Sequence, residues 1–485
     1  MQMAYGRLVM RRETFCSLLL LILTGAMLPT ALAAQSVPAA GPAQQAAQPE
    51  PAQQLGAGEA HAAEDGLTLD QLQAMALANN PTLPQAKAGV RAAAGRSRQA
   101  GLWPNPTLGY SGDEIRGGSF GGGEQGVFVQ QNVILGGKLS LDRKIFEAEG
   151  KQAAAEADEQ RLRVENGVRI AFYQSLATQA MVETRGKLRD IAKDAAETTR
   201  QLFNVGQADQ PDVLEADVEA DQDELAVIIE EQEQQRAWGV LAAVVGKPDL
   251  PLAHLQGDLE KLPQLNAAMI LQTILRDSPA VKIAQLGVAR AEAESVRAQH
   301  EVIPDLFLRA GYSYSFEQLG TVPPKAVGSE AFAEVGVNLP IFNRNQGNIA
   351  AAAADRERAK LEVQRVALVL RQMAAPIVQN YASSRAIAER YQSRTLPNAR
   401  MAYELYLRKY REGAAAYPQV LIAQRTLVQL ETSYINTLEN AWINAAALEG
   451  LLLTDGLDLP AAPNEMDRPV REINLPITEN PGMRP

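Results

Sequence analysis

The chain has 485 residues, and its 46 Lys and Arg stand against 57 Asp and Glu, for a formal charge of −11. That balance lacks the clustered basic footprint of a nucleic-acid binder. A single cysteine, Cys16, excludes an intramolecular disulfide and a cysteine-based metal cluster. Only 5% of residues are aromatic and Ala is abundant, a composition that suits long helices packed closely side by side.

Residues 1–33 read as a secretory signal peptide. Arg7, Arg11 and Arg12 precede an apolar run from Ser17 to Leu28, and Ala31-Leu32-Ala33 is a small-residue cleavage site. Glu13-Thr14-Phe15 matches the twin-arginine pattern poorly, which favours the general export route. Cys16 lies ahead of the apolar run and not at the cleavage point, so no acyl anchor is expected there. Residues 34–66 are rich in Ala, Gln, Pro and Gly and read as a flexible leader. No later stretch reaches ~18 uninterrupted apolar residues. An exported chain of this kind can enter a membrane only as a closed barrel.

Thr68 is the expected N-cap of a first helix, with Gln71 completing a capping box. The helical pattern passes Asn79-Asn80-Pro81, resumes from Leu83 to about Ala100, and ends at Trp103-Pro104-Asn105-Pro106. A strand over about 107–114 sets Leu108 and Tyr110 against Thr107, Gly109 and Ser111. A Gly-rich loop from Arg116 to Gly126 leads to a second strand, about 126–134. The loop has no Gly-Lys-Ser/Thr and is no phosphate loop. Leu139 to Phe203 is free of proline and reads as one helix of roughly 100 Å, far beyond the usual length. A turn at Gly206–Pro211 then opens a helix running to about Val245.

The plan repeats after roughly 200 residues, too long a period for a solenoid. Leu275–Pro279 parallels Leu77–Pro81, and Pro304 with Gly311-Tyr312 parallels Pro104 with Gly109-Tyr110. Ala441-Trp442 parallels Ala237-Trp238. The second hairpin is expected over about 305–317 and 331–340, with a long helix from Asn348 to Glu412. Its first strand places Leu306, Leu308, Ala310, Tyr312, Tyr314 and Phe316 on one face, against Phe307, Arg309, Gly311, Ser313, Ser315 and Glu317. Four strands cannot close a membrane barrel, because small barrels need about eight. Several chains must therefore pool their strands.

These features together resemble the TolC family of outer-membrane efflux channels over about residues 67–455. The resemblance rests on Pro104-Asn105-Pro106, the joint Leu339–Gly347, and the paired turns Gly206 to Leu214 and Gly413 to Leu421. Leu135-Gly136-Gly137-Lys138 and Asn348-Ile349-Ala350 look most like the heavy-metal, cobalt–zinc–cadmium branch. The implied fold is mostly α with a membrane β-barrel: a tandem-duplicated long-helix/β-hairpin unit. A homotrimer would build a twelve-stranded barrel on an α-helical barrel, spanning the outer membrane and reaching into the periplasm. The resemblance also implies a periplasmic adaptor and a proton-driven inner-membrane pump as partners, outer-membrane lipid around the barrel, and no cofactor. The same duct would serve drug efflux or type I secretion. The reading from another class is a periplasmic coiled-coil scaffold, against which the strand alternation speaks. The expected units are repeats at 67–265 and 266–455 and a Pro-rich tail at 456–485.

The site expectations follow. Asp209, Asp212 and Glu215 would form an acidic ring at the tube's aperture, or merely cap a helix N-terminus. Val205, Gly206, Gln207, Ala208, Gly413, Ala414 and Ala415 match the adaptor-facing tips, where Gly also serves as a helix C-cap. Pro340, Phe342, Asn343 and Gly347 form the strand-to-helix joint, where Pro340 should stop the ladder. Arg309, Glu317 and Glu334 face the lumen, to tune selectivity or to solvate a wet interior. Tyr110, Tyr312 and Tyr314 are candidates for interfacial aromatics. His61, His254 and His300 do not cluster, so no metal site is expected.

Overall fold

The computed structural model describes residues 66–115, 123–320, 323 and 325–459. The expected signal peptide, the leader up to residue 65, the middle of the first hairpin loop and the tail from residue 460 lie outside the described residues. The first half runs α1 (Leu69–Asn79), α2 (Thr82–Ala100), β1 (Thr107–Asp113), β2 (Glu124–Val133), α3 (Lys138–Asn204) and α4 (Gln210–Val245). The second half repeats the order: α5 (Ala267–Asp277), α6 (Pro279–His300), β3 (Leu306–Leu319), β4 (Lys325–Val337) and α7 (Gln346–Arg390). A π-helical turn, Tyr391–Thr395, then leads into α8 (Leu396–Arg411) and α9 (Tyr417–Glu449).

Local chemistry sets these boundaries. Gln71 N–H donates to Thr68 Oγ1 at 3.4 Å, and Thr68 N–H donates to Gln71 Oε1 at 3.0 Å, the reciprocal cap read from the sequence. The turns after α3 and α8 end on glycines in the left-handed region, Gly206 at φ 76° and Gly413 at φ 72°. At both, the next residue's N–H reaches back five positions: Gln207 to Leu202 O and Ala414 to Lys409 O, each at 2.8 Å. That pairing satisfies carbonyls which the helix end would otherwise leave open. α3 spans 67 residues, hence about 100 Å.

Two expectations are corrected. The helix expected to run unbroken from Asn348 to Glu412 is interrupted at Tyr391–Thr395. Pro397 has no N–H to give and its ring crowds the preceding turn, and a widened π turn accommodates this. β4 starts at Lys325, well before residue 331, and ends at Val337, short of Pro340. Its last rung pairs Val337 with Leu306, where β3 begins, so the ladder stops before Pro340 because its partner has run out.

The four strands form one antiparallel meander in the order β1-β2-β3-β4. Next to it α2, α3, α6 and α7 lie side by side in that order, while α4, α3, α9 and α8 pack together towards the turns. Among the described residues no helix is long and apolar enough to cross a membrane.

The main core joins α1, α3, α4 and α9 through Leu72, Val168, Phe172, Leu241 and Ile435. The two duplicated tryptophans do equivalent work. Trp238 Nε1 donates to Leu250 O at 2.9 Å and Trp442 Nε1 to Leu259 O at 2.8 Å, so both hold the segment that crosses between the halves. The segment after α9 lies directly on α3: a Cβ on Gly167 would stand 2.7 Å from Gly456 N. Backbone has no room to yield at such a contact. Gly167→Ala is therefore expected to cost on the order of 1–3 kcal/mol. Thermal melting followed by helical circular dichroism should show a lower midpoint, whereas Gly186→Ala, with open space around it, should not.

Candidate functional site

The sheet's two faces differ in a way that soluble sheets avoid. Register puts Leu108, Val129, Ala310 and Ala333 in one cross-strand row and Tyr110, Val127, Tyr312 and Ala331 in the next. These rows point outward: Leu108 is 77% exposed and Val335, further along the same face, 68%. The opposite face carries Ser313, only 3% exposed, whose hydroxyl donates to Glu124 across the strands. An apolar face turned outward and a polar face turned in match a hydrocarbon surround, not water.

The polar face also holds an arginine cluster. Arg309 and Glu334 are register partners, and their charged groups come within 4.0 Å. The Arg309 guanidinium lies 4.2 Å from the ring centre of Phe128 and 5.4 Å from that of Phe332. Both rings lie over glycines, Gly109 and Gly311, where an added Cβ would collide with them. Glu317 stands apart from this cluster, inside the register shift between Ser315 and Gln318, with its N–H directed to Ser315 Oγ at 3.4 Å. The sequence placed Arg309, Glu317 and Glu334 on one side but did not single out Phe128 or Phe332 as partners of Arg309.

At the joint, Asn343 Oδ1 accepts the N–H of Asn345 at 3.0 Å, a local turn. Asn345 takes φ 59° as the N-cap of α7, and its amide donates to Ala298 O at 2.8 Å. Phe342 is 91% exposed. Gly347 lies inside the first turn of α7, where an added Cβ would meet nothing within 4 Å. Pro340 is half-buried in the connection.

The two turns lie at the same end of the chain, because Tyr403, Tyr410 and Tyr417 of α8 and α9 pack against Ala192, Ala196, Ala216 and Ala220 of α3 and α4. Burial pushes the Tyr403 hydroxyl up to about 12. Val205, Gly206, Gln207, Gly413 and Ala414 are exposed, and Ala208 and Ala415 half-buried. Asp209 occupies the N-cap position of α4 but its side chain makes no capping bond. Asp212 is half-buried and Glu215 exposed. Deeper along the same helix, Glu219 is gripped by Arg425 of α9, with Nη2 at 2.8 Å and Nε at 3.1 Å from the same oxygen. Sequence reasoning missed this clamp, since Glu219 reads as one more acid on a solvated helix face.

The same seam holds Glu439 of α9 opposite Glu230, Glu233 and Arg236 of α4. Burial first, then Glu233 and Glu230 against Arg236, pushes the Glu439 carboxyl up to about 7. Of the histidines, His300 Nδ1 sits 2.9 Å from Gly136 O. His254 borders a cavity of about 570 Å³ that Glu260, Arg400 and Tyr434 also line. His61 lies outside the described residues.

A sheet turned apolar side outward, carried on helices of this length, defines a membrane-inserted transport duct. The chain belongs to the outer membrane efflux protein family, whose pattern matches residues 72–247 and 270–452. This is the TolC-type resemblance read from the motifs, and the chain is an outer-membrane efflux channel. It is 28% identical over 392 residues to the cobalt-zinc-cadmium resistance protein CzcC of Cupriavidus metallidurans, covering 80% of this chain and 90% of that one. Its fold is similar to the outer-membrane channel OprN (TM-score 0.65, 19% identity, 80% and 91% of the two chains). It is equally similar in fold to CusC (TM-score 0.65, 18% identity, 80% and 92%).

Because the folded chain keeps a proton on Glu439 up to about pH 7 while an unfolded one releases it near 4.5, that group's stabilisation is full below 4.5. It is lost as pH climbs through 7. Glu439→Gln should flatten this decline and raise the melting midpoint by a few degrees at pH 8, with little change at pH 4.5. Equal gains at both pH values would count against it.

Proposed function

We propose that three copies of this chain close a twelve-stranded barrel in the outer membrane above an α-helical tube in the periplasm. The assembly is the passive exit duct of a tripartite efflux pump for heavy-metal cations. The sheet carries this reading. It presents a continuous apolar face, yet both of its edges, β1 and β4, are unpaired among the described residues. An open edge in hydrocarbon leaves backbone N–H and C=O groups without partners, at several kcal/mol each. Four strands are too few to close on themselves. Pooling four from each of three chains removes every edge.

In this reading the turns at Gly206 and Gly413 receive a periplasmic adaptor, and a proton-driven inner-membrane pump supplies the energy. The duct itself makes and breaks no bonds. Cations are favoured by the acidic group Asp209, Asp212 and Glu215 at the mouth of the tube. The name of the cobalt-zinc-cadmium resistance relative supports the choice of metal cations. A soluble coiled-coil scaffold is disfavoured, since it would have no use for an outward apolar sheet.

Deleting the gene from its host is expected to lower tolerance to cobalt, zinc and cadmium several-fold while leaving tolerance to drugs and detergents unchanged. The reverse pattern would overturn the metal assignment. The combined variant Asp209→Asn, Asp212→Asn and Glu215→Gln should reduce metal tolerance a few-fold at an unchanged amount of heat-sensitive trimer on gels. Wild-type tolerance would return these three acids to a helix-end role.

A further inference from the structure

Inside the chain the two repeats meet where strand and helix join. The connection between β2 and α3 rests on the segment leading from α6 into β3. A Cβ on Gly136 would stand 2.9 Å from Ile303 Cβ. Leu135 N–H donates to Asp305 Oδ1 at 2.9 Å, and the buried Lys138 ammonium reaches the same oxygen at 3.1 Å. A duplicated chain holds two copies of each half of this contact but can make only one of the two pairings internally. Among the described residues, the joint after β4 has no equivalent segment to rest on. Likewise, among the described residues the entry to β1 has no equivalent joint to support.

Both leftover halves are apolar and open: Phe342 is 91% exposed and Trp103 58%. Both also sit on the edges that are unpaired among the described residues. One follows β4 and precedes α7, the other follows α2 and precedes β1, and these are the outermost strands and helices of the row. The exposed sites thus continue the two free edges of the sheet.

We propose that the joint of one copy seats on Leu102–Asn105 of the next, repeating between chains the contact made once within each chain. The inference rests on the closed-barrel reading above. Pro104 and Pro304 fix the correspondence on one side. The left-handed N-cap residues Gly137 and Asn345, at φ 69° and 59°, fix it on the other. Trp103 then takes the place of Ile303, and Arg344 that of Gly136, so a guanidinium faces an indole ring. Asn105 replaces Asp305 and Gln346 replaces Lys138. The internal contact is sealed by an ion pair, and the external one by neutral amides. Amides carry a smaller desolvation penalty when separate chains come together.

The test introduces Trp103→Cys with Arg344→Cys into a Cys16→Ser chain and oxidises the membranes. The expected result is a ladder of covalent oligomers that collapses on reduction and is absent from either single-cysteine chain. A bond within one chain is excluded, because the two sites flank opposite edges of a four-stranded sheet. They lie roughly 14 Å apart, against a Cα reach of about 7 Å for a disulfide. A second pair, Asn105→Cys with Asn343→Cys, follows the Leu135–Asp305 contact and leaves Trp103 in place. Oligomers that assemble but cross-link through neither pair would overturn the inference while leaving the proposed function standing. An unsubstituted chain that forms no oligomer on unheated gels would overturn both. Trp103→Ala should also lower the temperature at which the oligomer dissociates, and Trp103→Phe should restore much of it.

Discussion

The structure turns on one constraint: a β-strand in hydrocarbon must have every backbone polar group paired. Among the described residues, the meander satisfies the inner strands β2 and β3 on both sides and leaves β1 and β4 satisfied on one. Every other property of the sheet is consistent with that surrounding. The apolar rows face outward, the serines and the Arg309–Glu334 pair face in, and phenylalanine rings fill the space left by glycines on the inner face. In water such a sheet would expose its core and hide its solvated side.

Much of this was legible in the sequence because period-two alternation survives translation into either solvent. Which rows faced out could not be read from one hairpin, but two hairpins with the same alternation, joined to helices of unusual length, narrowed the choices. The capping box at Thr68, the Gly…Pro turns and the Ala-Trp pairs were readable because each is a local device with its own residues. β4 was cut short in the reading because Gly328 and Ser329 look like loop residues. Pairing with a long β3 overrides that weak local preference. The π turn at Tyr391–Thr395 was not legible, since Pro397 can sit in the first turn of a new helix as easily as it can break an old one.

The candidate site was legible in outline only. Exposed turns announce themselves through glycine. The Arg425–Glu219 clamp and the carboxylates around Glu439 do not, because the partners come from helices some two hundred residues apart. Long helices rich in Glu and Gln present many acids of equal appearance, and only packing selects which of them lose water.

The duplication is not symmetric in its mechanics. α3 runs from the membrane joint to the far turn without a break, whereas its counterpart is divided by the π turn into α7 and α8. A push applied at the Gly206 turn is carried by an unbroken strut straight to Gly137 under the sheet. A push at the Gly413 turn meets the widened π turn Tyr391–Thr395 part of the way along. Each chain thus pairs an unbroken column with one divided part of the way along, so the two turns at the far end are joined to the sheet through unlike supports.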